Sequence, residues 1–379
     1  MELIFGIFLG LIILVFLVVV HELGHAIVAK RNGVVVEEFG IGFPPRAWSR
    51  KLKNGVLFSL NWLPLGGFVR LQGEHDAAKH KGDYGAATFW QKTKILLAGV
   101  IINWLTAAIL LTILAVSGMP KILPDQFVVP SDTSSVKQSV EITAITADYP
   151  ADKAGLEVGD KIIRFKGQEV PSSQALIDQT KAERSNTIEI IYSRSGVESS
   201  ATVTLLDNDT GPIFGAGLGQ RELTKATWSA PIVGVVTTVQ FTWATLQGLG
   251  NLIANLASGL VLQLSPDQST RETGSGNLKE VSDSVAGPVG ILGTIFPQAE
   301  RAGPTQLIFL TAIISLTLAV MNALPIPALD GGRWFVMTLF KLMRKKLTKD
   351  REEKIQTVGF LTLIGLIILV TIGDVAKLF

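Results

Sequence analysis

Cysteine is missing from the whole chain of 379 residues, which excludes both a disulfide framework and a thiolate metal site. Any metal must therefore be held by imidazole and carboxylate. Charge is scarce too: 17% of residues are charged against 47% hydrophobic, and the mean hydropathy is +0.40. The net charge is only +2, and no dense basic run with interleaved aromatics occurs, so no nucleic acid is expected among the partners. What these scarcities leave is a multi-span membrane protein with a water-facing part. Its first partner is the lipid bilayer.

The stretch that organises the chain is residues 3–29. Eighteen residues from Leu3 to Val20 carry no charge, enough for a membrane span. The run then meets His21-Glu22-Leu23-Gly24-His25. The basic pair Lys30-Arg31, which can mark the membrane surface, comes roughly 13 Å later along a helix. Ionisable groups at that depth are expensive and need a purpose. Positions i and i+4 share a helical face, so His21 and His25 can offer ring nitrogens to one zinc ion. Glu22, on a neighbouring part of the surface, can take a proton from water. A chance H-E-x-x-H is the bland alternative; the apolar surroundings argue against it, because unpaired charge there has no water to solvate it. The run lacks a basic leading segment and continues into the motif, so it reads as a span and not as a cleaved signal peptide.

Beyond it, residues 34–70 alternate apolar and polar positions in two β-like runs, 34–39 and 55–60, punctuated by Gly and Pro. A polar loop, 72–84, leads to a second span at 89–118. Its main polar residue, Asn103, either makes an interhelical hydrogen bond or faces the site. Residues 121–209 are soluble in character, with strands expected at 140–145, 161–165, 188–192 and 201–205 and a helix at 172–181. The run Pro150-Ala-Asp-Lys-Ala-Gly155-Leu-Glu-Val-Gly159-Asp160 resembles a PDZ domain, a module that accepts peptide ends by strand addition.

Residues 226–266 are uncharged and long enough to cross a bilayer, yet rich in Gly, Thr, Gln and Asn. The third secure span, 306–340, is interrupted by Asn322-Ala-Leu-Pro325-Ile-Pro327-Ala-Leu-Asp330-Gly331-Gly332. Broken helix at membrane depth is tolerated only beside a protein-lined or wet cavity, and Asp330 there can complete a metal site. An ordinary hinge with Asp330 paired to Arg333 is the alternative. The last span is 357–372.

Basic side chains give orientation. Residues 29–94 hold 11 Lys/Arg against 5 Asp/Glu, residues 341–354 hold 7 against 3, and residues 119–225 hold 11 against 15. The first two segments are therefore expected in the cytoplasm and the third outside. The first span then runs inward, and Asp330 meets the histidines only if its span runs inward as well. A single crossing by 226–266 would reverse that direction, so this segment is expected on, or dipping into, the outer surface. Four spans is the consistent count.

The two motifs, in this order and around a PDZ-like domain, resemble the site-2 protease family of intramembrane zinc metalloproteases. The branch is that of the bacterial regulators of sigma factors (sigma-E protease-like), here with a single PDZ domain. The resemblance covers nearly the whole chain. It implies His21, His25 and Asp330 as Zn2+ ligands, Glu22 as catalytic base, and Asn322, Pro325 and Pro327 as residues that hold substrate. The implied activity is hydrolysis within the transmembrane segment of single-span membrane proteins, such as anti-sigma factors or signal-peptide remnants, after a first extracytoplasmic cut. Implied partners are those substrates and the peptide termini that reach the PDZ-like domain; the implied location is the bacterial inner (cytoplasmic) membrane. A metal transporter would not need Glu22, and a catalytically silent membrane chaperone would tolerate its loss.

The expected fold is a polytopic α-helical membrane protein with about four transmembrane helices, a membrane-associated β-hairpin region and one extracytoplasmic PDZ-like β domain. In order these are helix 1 with the HELGH motif (1–30), the β region and cytoplasmic loop (31–88), helix 2 (89–118) and the PDZ-like domain (119–210). An outer membrane-surface region (211–304), helix 3 (305–340), a cytoplasmic loop (341–356) and helix 4 (357–379) follow. Two departures from the family stand out: some relatives carry two tandem PDZ domains, and the second span often reads Gly-Pro-x-x-Asn where this chain has Gly99-Val-Ile-Ile-Asn103.

Overall fold

Long apolar stretches and short β-like runs sort into two compact units, one of residues Met1–Leu114 with Pro231–Phe379 and one of Ala115–Ala230. The computed structural model describes residues 2–194, 196–208 and 211–376.

The first unit opens with α1 (Glu2–Arg31), an uninterrupted apolar helix that stops where Gly33 takes a left-handed φ of 80°. Two long strands follow, β1 (Val36–Lys51) and β2 (Leu57–Leu71). The sequence reads shorter runs because Gly and Pro interrupt the alternation; the structure uses those residues as bends inside the strands. Each strand folds on itself, so that Phe39 pairs with Val69 on one side and with Phe58 on the other. The outer segment near Gly67 and Val69 lies along α1. α2 (Phe89–Ser117) begins with a reciprocal cap: the Thr88 amide donates to Gln91 Oε1 at 2.8 Å, and the Gln91 amide donates to Thr88 Oγ1 at 3.3 Å.

The second unit holds β3 (Met119–Pro120), β4 (Ser134–Lys137), β5 (Val140–Ile145), α3 (Pro150–Lys153), β6 (Lys161–Phe165), β7 (Gln168–Glu169), α4 (Ser173–Ala182), β8 (Thr187–Arg194), β9 (Val197–Thr204), β10 (Ala216–Gly219) and β11 (Glu222–Lys225). Its main sheet runs β10-β5-β6-β8-β9, with β7 beside β6, and its core gathers Ile142, Ile162, Phe165, Leu176, Ile190 and Val203. Asp160, from the Gly159-Asp160 turn of the PDZ-like run, is buried and binds Arg194 with both oxygens at 2.7 and 2.8 Å. The edge strand β10 comes from the Gly-rich stretch beyond residue 210, where strand propensity is weak, so the unit extends past the boundary expected from the sequence. A smaller sheet, β3-β11-β4, pairs the strand that follows α2 with the one that precedes the next helix.

The first unit resumes with α5 (Ala230–Gln263), α6 (Gln268–Ser284), α7 (Pro288–Gly290), a π turn (Ile291–Ile295), α8 (Phe296–Arg301), α9 (Pro304–Ala323), α10 (Asp330–Leu342) and α11 (Lys349–Ala376). The interrupted third span is therefore two helices joined by residues 324–329. Pro325 and Pro327 remove backbone donors there, Ala328 takes a left-handed φ of 76°, and its amide donates to Gln356 Oε1 of α11 at 2.6 Å. Gly331 and Gly332 do not interrupt anything. They lie inside α10, where a Cβ would meet Ala323 O at 2.2 Å or Ile326 O at 1.9 Å.

Among the described residues five helices are long and apolar enough to cross a membrane: α1, α2, α5, α9 and α11. That is one more than the four expected, and α5 is the addition. Asp374 of α11 accepts from the Gly287 and Gly290 amides at 3.1 and 2.7 Å, and Gly6 and Gly10 of α1 pack on Pro297 and Phe296. The start of α1 and the end of α11 thus share one end of this unit, and the HELGH motif lies toward the other.

Candidate metal centre

Three donor atoms converge. His21 Nε2 lies 3.0 Å and His25 Nε2 3.2 Å from Asp330 Oδ2, and the two imidazole nitrogens are 3.2 Å apart. Both histidines are more than nine-tenths buried. α1 presents them on one face, one turn apart; Asp330 arrives on the first residue of α10, positioned by the proline break. A tetrahedral zinc with bonds near 2.05 Å needs donors about 3.3 Å apart. The observed triangle is within a few tenths of an ångström of that, and its two imidazoles and one carboxylate are the donor types of a hydrolytic zinc site. The residues fit the ion.

α2 closes the back of this triangle with a stripe at helical spacing, Ile95, Gly99 and Asn103. His25 Nδ1 donates to Ile95 O at 2.8 Å, which leaves Nε2 free to coordinate. A Cβ on Gly99 would meet His25 Nε2 at 2.4 Å and His21 Nε2 at 2.6 Å, so only glycine lets α2 approach this closely. Asn103 is fully buried and touches His21 Nδ1 with its amide.

Glu22 opens onto a cavity of about 400 Å³ shared with His25, Phe68, Val69, Leu329 and Asp330. The outer strand segment packs against Glu22: a Cβ on Gly67 would lie 3.6 Å from Glu22 Cγ. Tyr84 and Arg333 line the same cavity. Arg333 does not pair with Asp330: it binds Glu74 Oε1 at 2.9 Å, Glu74 O at 2.7 Å and Glu352 Oε1 at 3.2 Å, and stacks 4.7 Å above the Tyr84 ring. The hinge alternative loses its ion pair, and Asp330 is left to the histidines. Burial lifts the Tyr84 hydroxyl above the ordinary phenol range, against the opposing pull of Arg333.

Peptidase family M50 matches this sequence over residues 9–366. The chain belongs to that family. A candidate zinc metalloprotease of Clostridium perfringens is 32% identical over 359 residues, 95% of each chain. The zinc metalloprotease RasP of Geobacillus kaustophilus is 26% identical and the regulator of sigma-W protease RasP of Bacillus subtilis 25% identical, each over 96% of both chains. The PDZ domain of an SdrC-like protein of Listeria monocytogenes is similar over 21% of this chain and 86% of its own, at 26% identity and a TM-score of 0.20. The M50 peptidase is a zinc metalloprotease of the site-2 type with several membrane-spanning helices.

Not every expected residue of the M50 peptidase meets the donor triangle. Asn322 sits in the last turn of α9 and donates to Leu318 O at 3.0 Å, while Pro325 and Pro327 shape the break. None of the three lines the cavity beside Glu22; Ala328 and Leu329 do. Sequence reasoning missed Gly99, whose signal was its place midway between Ile95 and Asn103 on one helical face. It also missed Glu74, Tyr84 and Glu352, for which a polar loop and a charged helix start offered no signal.

Proposed function

We propose that this peptidase cuts a peptide bond inside the transmembrane segment of single-span membrane proteins, such as anti-sigma factors or signal-peptide remnants, after a first extracytoplasmic cut. The observation that carries the reading is the donor triangle on α1 with Glu22 beside it, on a helix whose exposed residues Phe5, Phe8, Ile12 and Phe16 are all apolar. His21 Nε2, His25 Nε2 and Asp330 Oδ2 hold the zinc. Bound there, the ion supplies a Lewis acid that polarises the scissile carbonyl and acidifies water. Glu22 takes the proton from the attacking water and delivers it to the leaving amide nitrogen. The buried triangle keeps the ligands oriented, and the cavity walls of Phe68, Val69 and Leu329 limit bulk water around the reacting bond.

The substrate must be extended before attack, because a helix hides its amides. The membrane-associated strand segment around Gly67 and Val69, which lines the cavity with Glu22, is the edge on which an unwound substrate lies. Asn322, Pro325 and Pro327 hold it at the open backbone of the break.

The enzyme sits in the bacterial inner membrane, with four crossings and the second unit outside. The 3.0 Å approach of Asp330 to His21 supports this topology, since α9 must then run in the same direction as α1. α5 lies on or dips into the outer surface, its end packed back on the polar α6 through Gly259 and Leu278. In the second unit β5 (140–145) is flanked by β10 and β6, which leaves β10 at the edge of the sheet. Strand addition therefore belongs to β10, and the PDZ-like domain acts as a size filter for substrate ectodomains.

The test is metal analysis of purified variants. One zinc per chain is expected, with His21→Ala, His25→Ala and Asp330→Ala each depleted. A fully loaded Asp330→Ala protein would remove the third ligand and the reading with it.

A further inference from the structure

Asn103 is in contact with the proposed ligand His21 but has a polar atom left over. Its Nδ2 faces His21 Nδ1 at 3.3 Å, while Oδ1 is buried with no hydrogen-bond partner. An amide that donates to Nδ1 requires that nitrogen to be bare, and a neutral imidazole then carries its proton on Nε2. Nε2 is the atom aimed at Asp330 and His25, and a protonated Nε2 cannot coordinate. The two ends of a carboxamide occupy the same space, so the opposite orientation is equally accommodated. In that orientation Oδ1 faces His21, accepts from Nδ1–H and leaves the Nε2 lone pair free.

We propose that Asn103 is a positioning residue that accepts a hydrogen bond from His21 Nδ1–H through Oδ1 and so fixes the tautomer able to bind zinc. The inference rests on His21 being a ligand. His25 obtains the same service from a backbone carbonyl, with Nδ1 2.8 Å from Ile95 O. Both acceptors lie on α2, two turns apart, with Gly99 between them admitting the imidazole pair. Asn103 is itself pinned from behind: the buried Ser315 hydroxyl of α9 donates to Asn103 O at 2.9 Å. The helix that carries Asn103 is thus tied to the helix that leads to Asp330, and both approach α1 as one frame. Such outer partners of metal-bound histidine raise its basicity and hold its ring plane.

Zinc affinity of metal-stripped protein, measured by competition with a chromogenic chelator, tests the proposal. Asn103→Asp keeps an acceptor and is expected to stay within about threefold of wild type, whereas Asn103→Leu, which has none, is expected to weaken zinc by about 10–100-fold. Helix packing alone would not separate these two in that order, since leucine suits an apolar interface better than aspartate. Equal zinc affinity of Asn103→Leu and wild type would overturn the assignment. The parallel measurement on His21→Ala separates the layers: if it retains wild-type affinity, the reading of the site itself has failed. A second readout avoids any Asn103 variant that fails to fold. In zinc-loaded His75→Gln/His80→Gln protein only the rings of His21 and His25 remain, and the Nδ1–H proton of His21 is expected to resonate downfield and exchange slowly, as a hydrogen-bonded ring N–H does. An Nδ1–H of His21 with the shift and exchange of an unbonded ring would contradict the proposal.

Discussion

At the scale of single residues, the centre depends on what α2 does not carry as much as on what it does. Gly99 admits two imidazoles whose ring nitrogens lie 2.4 and 2.6 Å from where its Cβ would stand. Gly99→Ala should therefore push α2 and the histidines apart and lower zinc affinity by about tenfold or more, measured by chelator competition. Unchanged affinity would mean that the helices yield without disturbing the donors. The residues of the donor triangle, and Glu22 beside them, were legible in the sequence because physics makes charge inside an apolar run conspicuous: His21, Glu22 and His25 interrupt a span, and Asp330 follows two prolines. Their partners were legible only in part. Asn103, expected either to bond a neighbouring helix or to face the site, touches His21 with its side chain and accepts from Ser315 of α9 with its backbone carbonyl, whereas Gly99 looks like an ordinary constituent of a membrane helix until α2 is seen to approach so closely.

Elements were legible where periodicity and breakers were clean. β5 and β6 of the second unit fall where alternation placed them, and α4 is capped by Ser172, whose hydroxyl accepts from the Ala175 amide. Residues 211–219 carried no such pattern, so the edge strand β10 was missed. The break at 324–329 is shorter than the interruption expected at 322–332, because Gly331 and Gly332 resemble breakers but serve as contact points for α10. A methyl group at Gly332 would stand 1.9 Å from Ile326 O. Gly332→Ala should displace the first turn of α10, and Asp330 with it. The expected result is loss of zinc together with a loss of roughly 1–3 kcal/mol of stability in denaturant unfolding of the detergent-solubilised protein. The loop 72–84, expected as a connector, is instead folded: Tyr84 is buried and Arg333 ties Glu74 to Glu352 of α11. Arg333→Met leaves two carboxylates facing each other without their cation and should cost about 2–4 kcal/mol in the same measurement.

For the whole molecule, the proposed topology turns on the direction of α9, which the close approach of Asp330 to His21 ties to that of α1. Reporter fusions after Gln220 and after Gly276 should both appear outside, and a fusion after Lys346 inside; opposite locations for the first two would make α5 a crossing. The same topology separates gating from chemistry. Replacing residues 134–225 by a flexible linker should leave zinc bound and a short single-span substrate still cut, while cleavage of a substrate with an intact ectodomain rises. Loss of cleavage of the short substrate by folded, zinc-loaded protein would make the second unit part of the catalytic machinery. The most direct measurement joins metal content to turnover in one sample: Glu22→Gln, reconstituted in membranes with a single-span substrate. One zinc per chain and cleavage reduced by at least about 10²-fold are expected, because the substitution removes the group that moves the proton and none that holds the metal. Cleavage near the wild-type rate by the zinc-loaded variant would contradict the account.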